Sequence, residues 1–171
     1  AMPNQVWTSR GDGLLDWFND QVCTYSGRTP EELAGKGWID IVHPDDRARA
    51  AQVWRDALAS ADLFETEYRL RRVDGDYRWH LARALPIRND AGAITQWIGT
   101  NTEIHEQKLT EAATSRNLER IWNLSPVLKV IASPSGKISA VNPAWTRTLG
   151  WTAEETVGRN ILRFVARENR H

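Results

Sequence analysis

Residues 63–108 read LFETEYRLRRVDGDYRWHLARALPIRNDAGAITQWIGTNTEIHEQK, and this stretch decides the fold. Three runs rich in β-branched, aromatic and long side chains are separated by two turn signals, Asp74-Gly75 and Asn89-Asp90-Ala91-Gly92. Asp-Gly between alternating runs is a strong short-range hairpin signal, so the stretch predicts a three-stranded antiparallel meander. In the first run Phe64, Thr66, Tyr68 and Leu70 share one face, opposite Glu65, Glu67, Arg69 and Arg71. In the second, His80, Ala82 and Ala84 alternate with Trp79, Leu81, Arg83 and Leu85; in the third, Trp97, Gly99 and Asn101 alternate with Ile98 and Thr100. The meander runs directly into residues 104–122, which contain good helix formers and no breaker. A sheet continuous with a helical lever suggests signalling rather than catalysis.

Working outward, residues 5–9 (QVWTS) and 14–18 (LLDWF) flank the turn Arg10-Gly11-Asp12-Gly13 and predict a second hairpin. Asn19 and Asp20 open a short helix that Gly27 ends. Thr29-Pro30-Glu31-Glu32 opens another, with an N-cap, proline at the first helical position and acids in the first turn. His43-Pro44-Asp45-Asp46 starts a longer helix through about Ala61. The heptad of residues 104–122 is poor, since Glu111 falls between Ile104 and Leu118, so the segment reads as a linker helix able to pair in a dimer.

From residue 126 the opening pattern returns at a constant offset. Gly13, Asn19, Gly27, Thr29, Glu31, Glu32 and Gly35 recur as Gly136, Asn142, Gly150, Thr152, Glu154, Glu155 and Gly158, each 123 positions on. The repeat predicts residues 3–106 as a complete domain, 107–124 as a linker helix and 125–171 as the front of a second copy that stops before its long helix and meander.

Composition bounds the function. Formal net charge is zero, from 22 basic and 22 acidic residues, which leaves no basic excess for nucleic-acid phosphates. No apolar run is long enough to span a bilayer and no signal peptide opens the chain, so a cytoplasmic location is expected. One cysteine, Cys23, rules out an internal disulfide and fits a reducing compartment. Nine tryptophans imply a core rich in aromatic area, or exposed aromatics awaiting a partner. No histidine or cysteine pair has metal-ligand spacing, and there is no phosphate loop, nucleophile elbow or zinc-protease motif.

In order and spacing the chain resembles the PAS family, in the form that ends in a PAC motif. The matching residues are Gly13 to Asn19, Tyr25-Ser26-Gly27-Arg28-Thr29-Pro30-Glu31-Glu32, Gly37-Trp38 to Val42 and His43-Pro44-Asp45-Asp46. They continue through Tyr68-Arg69-Leu70-Arg71, Asp74-Gly75, Tyr77-Arg78-Trp79, Pro86-Ile87-Arg88 and Ile98-Gly99-Thr100-Asn101-Thr102-Glu103-Ile104. The family's closing Asp-Ile-Thr stands here as Glu103-Ile104-His105, with the acid kept. The resemblance implies an α+β fold: a five-stranded antiparallel sheet with helices on one face, a linker helix and a truncated second copy. It implies a sensory module of a bacterial signalling protein, most of all a sensor histidine kinase of a two-component system, itself without enzymatic activity. The alternatives are a ligand-free dimerising spacer and a regulatory segment of a cyclic-di-GMP enzyme.

By the same resemblance the helix-facing side would form a small-molecule pocket from Thr66, Tyr68, Leu70, His80, Ala82, Ala84, Trp97 and Asn101, where the small alanines leave room and His80 and Asn101 orient a ligand. The competing reading is a filled core with satisfied polar groups. The outer face, with Trp7, Trp79, Leu81, Leu85 and Ile98, would be a homodimer or linker interface, with Arg83 pairing an acid such as Glu103 and the relay continuing through Ile104 and Leu118. No cofactor is expected. Gly158-Arg159-Asn160 is similar to the flavin-binding branch, but Ile161 stands where that branch's reactive cysteine belongs. Against haem, the histidines are His43, His80, His105 and His171, and none lies on the long helix where that branch's ligand sits.

Overall fold

A computed structural model describes residues 4–164. The chain divides into two compact units, with the boundary between Lys108 and Leu109.

In the first unit, β1 (Gln5–Arg10) and β2 (Leu15–Phe18) form the predicted hairpin, followed by α1 (Asp20–Ser26), α2 (Pro30–Leu33), a 3-10 turn (Gly37–Ile41) and α3 (Pro44–Ser60). The meander is β3 (Phe64–Arg71), β4 (Tyr77–Arg88) and β5 (Ile94–Glu103), and α4 (His105–Leu124) follows after one intervening residue. The five strands form one antiparallel sheet in the order β2-β1-β5-β4-β3. Bringing β1 against β5 sets the first and last strands of this unit side by side in the middle of the sheet, and their register sets Trp7 opposite Gly99 and Gln5 opposite Asn101.

Local chemistry explains the short elements. Asn19 accepts the Val22 N–H at the start of α1, and Gly27 ends that helix in the left-handed region at φ 67°. Thr29 and Glu32 form a reciprocal capping box on α2. Pro44 fills the first position of α3, while His43 Nδ1 accepts the Asp45 N–H at 3.3 Å. The core lies between the sheet's inner face and α1–α3. At its centre Trp54 of α3 meets Trp7, Phe64 and Trp97 edge-on, with ring centroids 5.7, 5.0 and 5.3 Å away.

The second unit holds α4 from Leu109 onward, β6 (Val130–Ala132), β7 (Ile138–Val141), α5 (Pro143–Leu149) and α6 (Ala153–Thr156). It repeats the first unit's bonds at the same offset. Asn19 Oδ1 accepts from Val6 N and its amide donates to Asn4 O; Asn142 Oδ1 accepts from Lys129 N and its amide donates to Val127 O. The Thr152–Glu155 capping box repeats Thr29–Glu32, and the Ile138–Gly158 backbone bond repeats Leu15–Gly35. Of the expected second domain, residues 165–171, His171 among them, lie outside the described residues.

Candidate functional site

All eight expected pocket residues lie on the inner face of β3, β4 and β5, and all are buried, His80, Ala82 and Trp97 completely. The room expected above Ala82 and Ala84 is taken up. Trp97 and Phe64 from the sheet and Trp54 from α3 fill it, and the space left between sheet and helices is a cavity of about 20 Å³. Tyr68, Leu70 and Asn101 line that cavity with apolar residues of β1, β2, α1 and α3. A volume near that of one water is far below the several hundred Å³ of ordinary ligand pockets, so the residues present fit neither a flavin nor a haem in this interior. His80 and Asn101 also border a separate open cleft of about 590 Å³. Gln5, Gln21, Thr24 and Tyr25, Glu103, and the first turn of α4 are also among its lining.

The buried polar groups of the inner face are bonded to each other. Trp7 Nε1–H and the Tyr68 hydroxyl both donate to Asn101 Oδ1, at 3.2 and 3.0 Å. The Asn101 amide donates to Gln5 Oε1 at 3.2 Å, Gln5 Nε2 lies 3.4 Å from His80 Nε2, and His80 Nδ1 lies 2.9 Å from the Arg78 carbonyl oxygen. Tyr25 meets the His80 ring edge-on at 5.0 Å. Its hydroxyl is buried without a hydrogen-bond partner among the described residues. Burial, with help from Glu103, pushes the Tyr25 phenol well up, and burial alone does the same to Tyr68.

A second cluster fastens the root of α4 to the meander. Trp79 O accepts the Ile104 N–H at 2.9 Å, and Trp79 N–H donates to His105 Nδ1 at 3.4 Å. Arg78 lies 3.9 Å from Glu103 and 3.8 Å from Glu106. Lys108 pairs with Glu67 of β3 at 2.5 Å, and its ammonium stands 5.7 Å from the Trp79 ring centroid. Arg69 stands 5.2 Å from the same centroid, and Asp46 of α3 holds its guanidinium through two bonds of 2.9 and 3.0 Å. Asp46 therefore links α3 to β3, the strand whose Glu67 pairs with Lys108.

Arg69's hydrogen bonds hold the Asp46 carboxyl below the usual carboxylate range, against the opposing effect of burial. A depressed folded value means that this contribution is complete above the ordinary pKa of about 3.9 and is lost as pH falls through the folded value. Asp46→Asn should cost about 2 kcal/mol at neutral pH, read by urea unfolding. It should also flatten the stability loss between about pH 5 and pH 2; an unchanged acid limb would show that other carboxylates carry it.

Two expectations about the outer face are corrected. Trp7 is not on it: it is 4% exposed, and its indole packs inward across Gly99. Arg83 does pair with an acid, but the acid is not Glu103. It pairs at 2.5 Å with Glu65, its cross-strand neighbour, while Glu103 lies opposite His80. Trp79 is half covered by Arg69 and Lys108, and Leu81 is half-buried. Leu85 and Ile98 stand exposed side by side in register, and Trp17, which the sequence reading passed over, is also exposed. Ile104 is half-buried at the α4 root and Leu118 is exposed further along the helix.

Comparison with known proteins fits this geometry. A PAS-fold family model matches residues 16–101, and a second PAS-fold model matches residues 116–171. The chain belongs to the PAS family. It is 30% identical over 99% of its length to the peroxide stress-activated histidine kinase mak1 of Schizosaccharomyces pombe, of which it spans 11%. It is 31% identical over 73% of its length to the probable diguanylate cyclase DgcE of Escherichia coli, of which it spans 12%. The structure of a sensory box histidine kinase/response regulator from Burkholderia thailandensis superposes with a TM-score of 0.54 at 26% identity, over 69% of this chain and 89% of that one. With the fold and these relatives together, the chain is a sensory signalling module.

Proposed function

We propose that the chain is the sensory part of a cytoplasmic histidine kinase of bacterial type, and that the first unit passes a ligand or partner state into α4. The observation that carries this reading is the root of α4. One residue separates β5 from the helix, Glu67 of β3 and Arg78 and Trp79 of β4 bear on its first turn, and Glu103 of β5 pairs with the same Arg78. A small shift of the sheet therefore has a direct mechanical outlet. In this reading residues 3–106 are the sensing domain, 107–124 the linker and 125–171 the front of a second domain, and catalysis belongs to an output domain elsewhere in the parent protein. The chain's small share of its relatives' length favours such a parent, and the cyclase relative keeps a cyclic-di-GMP output as the alternative. No helix among the described residues is long and apolar enough to cross a membrane.

Ala112 sits in the middle of α4 and its carbonyl accepts from Arg116 at 3.2 Å. Proline there breaks the helix at a cost of about 3 kcal/mol to the helix alone. In the full-length parent, Ala112→Pro should abolish the difference in output between stimulated and resting states while the first unit stays folded. Intact regulation in that variant would overturn the lever.

The filled interior favours a second reading, in which the module dimerises and spaces its neighbours without binding a metabolite. The exposed Leu85 and Ile98 on the sheet, with Leu118 on α4, are the surfaces it would use for a homodimer. Native mass spectrometry separates the two: a retained small mass supports sensing, and an apo dimer supports the spacer.

A further inference from the structure

The hydrogen-bond chain of the inner face has a direction, and both of its ends fix it. The Trp7 indole can only donate, so the Asn101 atom facing it must be the oxygen. Asn101 Nδ2 then points at Gln5, which must present its oxygen, and Gln5 Nε2 is left facing His80 Nε2. At the far end the Arg78 carbonyl can only accept, so the proton of His80 sits on Nδ1. One state of His80 closes the chain: neutral, protonated at Nδ1, with the Nε2 lone pair toward Gln5.

We propose that this chain is an acid-operated switch, in which a proton taken from solvent by His80 Nε2 turns over the Gln5 and Asn101 amides and deprives the Trp7 indole of its acceptor. A protonated Nε2 needs an acceptor, so Gln5 presents Oε1 and Asn101 Oδ1 receives the Gln5 amide. Asn101 Nδ2 then faces Tyr68 and Trp7. The Tyr68 hydroxyl can rotate to accept; the indole cannot, and it lies 4% exposed in the core. A proton bound beside the α4 root is thus registered at the centre of the aromatic cluster, with the Gln5 and Asn101 amides between.

The groups facing His80 set the threshold. Tyr25 approaches from α1; Tyr68 and Glu103 lie opposite it in register on β3 and β5. His105 lies on α4, and Arg78, on the same strand, has Glu103 and Glu106 within 4 Å. Burial holds His80 below the ordinary histidine range; its bond to the Arg78 carbonyl and the Glu103 charge oppose that, and His105 adds to it. The switch therefore operates on the acid side of about pH 6.5, and the module loses stability as pH falls below that value.

The inference rests on the sensory reading for its meaning and names the signal as a proton. NMR of the 171-residue chain from about pH 8 to pH 4.5 tests it across the histidine range. His80 should show the Nδ1–H tautomer at the alkaline end, and the Trp7 indole N–H should shift with the same midpoint as His80. His80→Gln should leave that indole unresponsive to pH. Trp7→Phe removes the donor that fixes the direction, so the His80 midpoint should rise by about one unit, a tenfold gain in proton affinity. An Nε2–H tautomer at pH 8, a Trp7 resonance that ignores the His80 titration, or an undiminished shift in His80→Gln overturns the switch. So does acid unfolding that takes all the core indoles at once. None of these readouts involves the output, so their failure leaves the lever standing, and failure of the Ala112→Pro experiment leaves the switch standing.

Discussion

Replacing Trp54 by alanine should remove about 4 kcal/mol from the stability of the first unit. This is the tryptophan that the other core rings surround, at 5.0–5.7 Å, and it is 6% exposed. Its Nε1–H also donates to the Gly13 carbonyl at 3.0 Å, tying α3 to the β1–β2 turn, so the variant leaves a buried acceptor without that donor. Trp7, Phe64 and Trp97 are held by the sheet and cannot collapse into the gap. A domain stable by about 5–15 kcal/mol loses a large part of its margin. The measurement is the urea midpoint with the slope unchanged. The void would join the existing cavity of about 20 Å³, so added indole should restore part of the loss. A variant that is destabilised but indifferent to indole would mean that the core had repacked.

Gly99→Ala should cost about 3 kcal/mol for the opposite reason. A Cβ built on Gly99 falls 2.3 Å from Trp7 Cζ2, 2.4 Å from Cε2 and 2.7 Å from Cη2. The indole cannot withdraw, because Trp54 and Phe64 pack against it and Asn101 holds its nitrogen. Pairing the change with Trp7→Phe should recover much of the loss, since the smaller ring leaves space for a methyl group. Simple additivity of the two changes would show that strand β5 itself, not the indole, is what the methyl disturbs.

These two sites mark where the sequence was legible and where it was not. Turns and caps were readable because they are local: Asp74-Gly75 does close β3 onto β4, and Thr29 does cap a helix that begins at Pro30. Alternation gave the inner face of the meander correctly, since those strands are long enough for period two to be unambiguous. Trp7 was misplaced because a short strand alternates equally well in either phase. Its face is decided by Gly99, a partner on the last strand that leaves room for an indole. The Glu65–Arg83 pair was available in principle, because folding the sequence about Asp74 sets the two opposite. Glu103 was the more distant choice. The sequence offered both an open pocket above Ala82 and Ala84 and a filled core; which of them holds was not legible, because the ring that fills the space, Trp54, arrives from α3. Likewise nothing local joins Asp46 to Arg69.

The three core indoles also form an optical unit. Trp7 and Trp97 each meet Trp54 with ring planes inclined at 81° and 70°. Indole transition dipoles at 5.3–5.7 Å couple, so the far-ultraviolet circular dichroism of the chain should carry an exciton band on top of its helix and strand signal. Helix content taken from that spectrum would be misjudged by the amount of this band. The same band offers a label-free gauge of the first unit's interior, silent to α4 and to residues 125–164, where Trp122, Trp145 and Trp151 lie outside the triad.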